Sequence, residues 1–268
     1  METRRLKQIA ILILLALNVA LLLLLGGQRL QERRQLREAE AQLRTLYQQY
    51  GLSISPAADL QQIPPSALSL TRQDKAELAL AAKLLGEQPA FYDHGSLIYR
   101  YVGQNGTLQF RSNGSVEGIS LCIPTENPRD FATTLYHSLD MVVTQDLLED
   151  QSGQITAVQT LRDIPMSGCE LTLDFENGFL TQVSGCYIST EAATQLSSGR
   201  YTCATALTLL LNHYLSAGIV FQQVEGLSCL YRLQSTPDSL TLVPLWKIVT
   251  DTSTWLVDCS LNTVERTV

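Results

Sequence analysis

The sequence predicts an α+β protein: an N-terminal transmembrane helix and a helical stalk, then tandem modules of a helix packed on antiparallel β-sheet. Three observations carry this. Residues 9–27, IAILILLALNVALLLLLGG, hold no charge. Beyond residue 66, helical apolar periods are each followed by several alternating runs separated by turn residues, the pattern of helices laid on antiparallel sheets. Asn-Gly, the strongest two-residue hairpin signal, recurs at 105–106, 113–114 and 177–178.

The elements follow in order. A tail, residues 1–8, carries Arg4, Arg5 and Lys7. The span 9–27 has one strongly polar residue, Asn18, and as a helix of about 1.5 Å per residue it reaches roughly 28 Å, a bilayer's hydrocarbon thickness. Its length and the lack of an A-x-A-like site after Leu25 favour an uncleaved anchor over a signal peptide. Arg29, Arg33, Arg34 and Arg37 follow the span but are interleaved with Glu32, Glu38 and Glu40, whereas the cluster before it is undiluted. The expected topology is therefore single-pass in the cell membrane, N-terminus cytoplasmic and C-terminal domain extracytoplasmic.

Residues 28–51 read as a helical stalk, with Leu36, Leu43 and Tyr50 at seven-residue spacing and Ala39 and Leu46 between them. Two heptads are too few to specify a coiled coil. Residues 52–66, with Pro56, Pro64 and Pro65, read as a linker. A first helix-plus-sheet unit spans 67–124, its helix opened by a Thr71/Asp74 capping box and closed at Gly86. A second spans 125–195, with Asn127 as N-cap, Pro128 at the first helical position and Phe131, Leu135 and Leu139 on one stripe. A third spans 196–268, with Leu207, Leu211 and Tyr214 along a helix that Gly218 ends, followed by four strands.

Composition excludes one partner class. The chain holds 19 Lys/Arg and 26 Asp/Glu, and eight of the basic but only four of the acidic residues precede residue 51, which leaves the rest at −11. Such a domain has no basic footprint for nucleic acid. No H-E-x-x-H, C-x-x-C, G-x-S-x-G, P-loop or dinucleotide fingerprint occurs, and His94, His137 and His213 are scattered. No metal, cofactor or catalytic residue is expected, and Asp146, Glu149 and Asp150 before Ser152-Gly153 read as a polar turn.

All six cysteines lie at 122, 169, 186, 203, 229 and 259. In CELTLDFENGFLTQVSGC, Cys169 and Cys186 stand at equal distances from Asn177-Gly178. In an unbroken hairpin they face each other on a non-hydrogen-bonded rung, where Cα atoms approach to about 4.5 to 5.5 Å, within disulfide reach. They are the disulfide candidate if the domain lies in an oxidising compartment.

The C-terminal stretch LVPLWKIVTDTSTWLVDCSLNTVE places Pro244-Leu-Trp246 in one strand, a polar turn, then Trp255 opening the next. Pro244, Trp246 and Trp255 are expected to build the core of this module. A P-x-W strand, an aromatic-led second strand ending in Asp, then NTVE resembles the closing hairpin of PepSY-type domains. With the RRLKQIAILILLALNVALL anchor and its central Asn18, the whole chain resembles the YycI family and its relative YycH. That resemblance implies a non-enzymatic extracytoplasmic regulator of the cell-wall sensor histidine kinase WalK of Gram-positive bacteria, with a YycH-like paralogue as a further partner. Asn18 is then the expected contact with a partner's membrane helix, where such bonds average about 0.6 kcal/mol. The alternatives are a PepSY-like peptidase inhibitor or chaperone module, and a wall-modifying enzyme without recognisable motif.

Overall fold

The computed structural model describes residues 38–93, 95, 98–196, 201–236 and 239–267. The expected membrane span, Asn18, the start of the stalk and His94 lie outside the described residues. Among the described residues no helix is long and apolar enough to cross a membrane. What they form is α+β, with four helices and a large, mostly antiparallel sheet.

The chain runs from α1 (38–49) through β1 (Ser53–Ile54) and β2 (Leu68–Leu70) to α2 (Asp74–Leu85). A meander follows: β3 (Ala90–Asp93), β4 (Tyr99–Gly103), β5 (Gly106–Phe110), β6 (Ser115–Ile119) and β7 (Ile123–Pro124). Then come α3 (Pro128–His137), β8 (Met141–Asp146), β9 (Gly153–Leu161), β10 (Ile164–Glu176), β11 (Phe179–Cys186) and β12 (Thr194–Gln195). The last stretch holds α4 (Cys203–Ala217), β13 (Gln223–Thr236), β14 (Ser239–Thr250), β15 (Thr254–Asp258) and β16 (Thr263–Thr267).

α3 starts where its sequence directs. Asn127 is extended and its side chain accepts from the backbone N–H of Arg129 and Asp130, while Pro128 fills the first position, which has no intrahelical N–H to lose. Asn127→Ala is expected to cost about 1 kcal/mol and Asn127→Asp almost nothing, read from urea midpoints. The Thr71/Asp74 capping box does not form: α2 begins after Gln73, which makes no side-chain cap. Instead Arg72 grips Glu77 with two bonds of 2.6 and 2.9 Å and lies 3.7 Å over the Tyr99 ring. A strong local pair thus replaces the cap, and burial still pushes the Glu77 carboxyl up despite its Arg72 partner.

The first two expected units share one core. β11 pairs with β10 on one side and β6 on the other, so their strands form a single sheet covered by both α2 and α3. Leu80, Leu84, Phe110, Tyr136, Leu171 and Phe175 meet there. The Tyr136 hydroxyl lies 2.6 Å from the Ile155 carbonyl oxygen and 3.0 Å from that of Leu171, which anchors α3 to two strands.

The described part of the stalk, and the linker, pack on the C-terminal helix and sheet. α1 buries Leu43 and Tyr47 against α4, and the Tyr47 hydroxyl donates to the Leu207 carbonyl at 2.8 Å. Tyr50, on the expected heptad stripe, is 45% exposed while Tyr47 is fully buried. The inward face therefore runs from Leu43 to Tyr47, four apart, and leaves the stripe at Tyr50. Within 52–66, Leu52, Ile54, Ala58 and Leu60 enter the same core, and β1 pairs parallel to β13. These segments belong to the C-terminal lobe.

Candidate functional site

The two lobes meet at β10, where the candidate cysteines lie. β10 pairs antiparallel with β9 and β11 along most of its length, but Met166 and Ser167 pair parallel with Tyr231 and Arg232 of β13. Around that switch Met166, Cys169, Cys186, Ile188, Tyr231 and Leu242 form a small buried cluster. It joins the sheet of the first lobe to that of the second.

The hairpin register differs from the expected one. Asn177 and Gly178 both take positive φ, and Phe175 faces Leu180 as the turn requires. Beyond them a bulge intervenes: Asp174 faces Gln182, leaving Thr181 as the extra residue, and its hydroxyl donates to the Asp174 carbonyl at 3.2 Å. The shift continues to Leu171 opposite Gly185, so Cys169 and Cys186 are not on one rung. They nevertheless face each other, with their Sγ atoms 3.2 Å apart. Gly185, at φ 133°, is the last residue of β11 paired with β10 and precedes Cys186, and Gly168, at φ 86°, precedes Cys169. The two kinks undo the slip.

Both sulfurs are thiols in the structure, as are the other four. Its hydrogen bond with Cys186, then burial, pushes the Cys169 thiol up. Cys122 is exposed. Cys203, Cys229 and Cys259 lie in the C-terminal core, where burial raises Cys229 to about 12 and the other two to about 11. Those three stay protonated at neutral pH and behave as small apolar residues.

The C-terminal hairpin places Trp246 and Trp255 inside, over α4. The Trp246 indole donates to the Tyr201 carbonyl at 3.0 Å, and the Trp255 ring meets His213 edge-on at 5.8 Å between centroids. Pro244 is only half-buried. It falls between the stretch of β14 paired with β2, at 240–242, and that paired with β15, at 246–249. On that unpaired edge its missing N–H costs no ladder bond.

The remaining candidates stand apart. Glu149 and Ser152 close the acidic turn with reciprocal backbone bonds of 2.9 and 3.0 Å. His137 ends α3 and His213 lies in α4. Among the described residues no group of three or more His, Cys, Asp or Glu side chains is placed to hold a metal ion. A cleft of about 610 Å³ does open along Pro64, Pro65, Arg162, Glu191 and Tyr231, offering one cation and one anion beside a proline-rich wall.

No family model and no curated protein matches this chain. Among solved structures, the chain is similar to an uncharacterized protein from Eubacterium rectale known from its crystal structure. The two are 11% identical with a TM-score of 0.38, over 80% of this chain and 85% of that one.

Proposed function

We propose that this chain is a membrane-anchored extracytoplasmic regulator that modulates a cell-wall sensor histidine kinase by protein–protein contact, without catalysis of its own. The observation that carries the reading is the uncharged 9–27 stretch, separated by only ten residues from a helix whose far turns are buried in the C-terminal core. A signal received by the outer domain then has packed side chains of α1 and α4 to pass through on the membrane-proximal side of the fold. The fold would be two helix-plus-sheet lobes, the last PepSY-like, and a YycH-like paralogue would be a second partner on the same kinase. The acidic outer domain favours protein over anionic lipid as its contact surface.

The test is crosslinking in the native membrane with the full chain. A sensor kinase should be recovered, and recovery of a peptidase in its place would favour the inhibitor reading. Replacing 9–25 by an unrelated apolar span of equal length should weaken kinase recovery about tenfold, and Asn18→Leu about threefold, the size of a 0.6 kcal/mol interhelical bond. Unchanged recovery with the foreign span would reduce the helix to a tether.

A further inference from the structure

We infer that Cys169 and Cys186 form a directional thiol–disulfide exchange site, at which a protein disulfide of the extracytoplasmic space enters at Cys186 and Cys169 resolves the mixed disulfide. The inference deepens the proposed function, because it places the oxidant outside the membrane.

Both residues are buried, and they differ in what they border. Cys169 is 0% exposed and Cys186 8%. Beside Cys186 runs an open groove of about 460 Å³, lined also by Asn113, Gly168, Glu170, Leu233 and Ser235. Two glycines, 168 and 185, contribute no side chains to its wall. Cys169 does not line this groove, but its Sγ waits 3.2 Å from the Cys186 Sγ on the buried side. One cysteine borders the groove and the second stands behind it in contact with the first, the order that exchange by way of a mixed disulfide requires.

The chemistry balances. The Cys186 thiolate attacks one sulfur of the partner's disulfide, forming a Cys186–partner bond and expelling the partner's other sulfur as a thiolate. Cys169, giving up its proton, then attacks the Cys186 sulfur, forming the Cys169–Cys186 bond and releasing the partner's second thiolate. Two cysteines here lose two electrons and two protons, and the partner leaves as a dithiol. The product bond lies in the cluster that joins the two lobes, beside the parallel contact of β10 with β13. Oxidation therefore ties β10 to β11 covalently beside that junction.

The experiment uses the full chain in detergent with exposed Cys122 changed to Ser, and glutathione disulfide as the probe. Cys169→Ser should accumulate a glutathione adduct on Cys186 at least about tenfold faster than Cys186→Ser does on Cys169, by peptide mass mapping. The parent with both cysteines should lose two thiols and retain no glutathione. Equal labelling of the two single variants, or glutathione held by the parent, overturns the inference. Far-UV spectra and urea midpoints identify a variant that fails to fold. In that event pulse labelling of the parent reads the same order, because the first adduct must map to Cys186. Finding the pair reduced in cells while this order holds in vitro would count against the extracytoplasmic placement and leave the exchange chemistry standing.

Discussion

Tyr47→Ala is expected to lower the stability of the described domain by about 3–5 kcal/mol, the cost of emptying a large aromatic site in a packed core. Tyr47→Phe should cost about 1 kcal/mol, the net worth of one hydrogen bond. Tyr47 is fully buried and fills the space between α1 and α4, and its hydroxyl reaches the backbone of Leu207. Burial also holds that phenol far above its usual range, so it remains a donor at any physiological pH. Urea unfolding reads both variants, with the slope compared to confirm that only the midpoint moves. A midpoint for Tyr47→Ala within about 0.5 kcal/mol of the parent would mean that α1 is a detachable stalk. Under the proposed function, loosening α1 should leave kinase crosslinking through the anchor in place while any response to the outer domain is lost.

That 28–51 reads as a stalk in sequence while α1 packs on α4 is a matter of overlapping periods. Leu36, Leu43 and Tyr50 satisfy a heptad, and Leu43 with Tyr47 satisfies the four-residue step of a globular helix face. Both sets include Leu43, and only the presence of an apolar surface on α4 selects the second. α3 was readable in detail because its signals are local: Asn127, Pro128 and the stripe behind them act within one turn of the helix they start. The Asn177-Gly178 turn was readable for the same reason. By contrast, the pairing of β11 with β6 and the parallel contact of β10 with β13 join residues more than sixty apart. Neither leaves a periodic trace, so units that look separate in sequence share one core.

The cysteine pair shows how a local rule can reach a neighbourhood by the wrong path. Counting outward from the turn assumes an unbroken ladder, and Thr181 breaks it. A threonine in a half-exposed strand is unremarkable by composition, and nothing in LTQVSG marks it as the extra residue. The compensating kinks at Gly168 and Gly185 were visible only as glycines inside strand patterns, which is the usual sequence sign of a bulge or a close backbone approach. Trp246 and Trp255 needed no such correction, since a large aromatic on an alternating strand goes inside wherever the sheet has a covered face.

Gly185→Ala tests that close approach, and it is expected to cost about 2–6 kcal/mol. At φ 133° the backbone occupies a region open almost only to glycine, which accounts for about 1–3 kcal/mol. A Cβ there would also collide with the Glu170 backbone carbonyl and press on the Leu171 Cα. Backbone cannot swing aside like a side chain, so relieving the collision adds about 1–3 kcal/mol. Gly168→Ala is the control. Its φ is 86°, but a Cβ added there meets nothing within 4 Å, so only the strain remains, about 1–2 kcal/mol. Urea midpoints of the two variants should therefore separate, and the Gly185 variant alone should spread β10 from β11 at the level of the thiols. In that variant, glutathione disulfide should leave a stable adduct on Cys186, because Cys169 no longer stands close enough to displace it. Equal costs for the two substitutions would place the β10–β11 contact elsewhere, and with it the reason that two cysteines on different rungs come face to face.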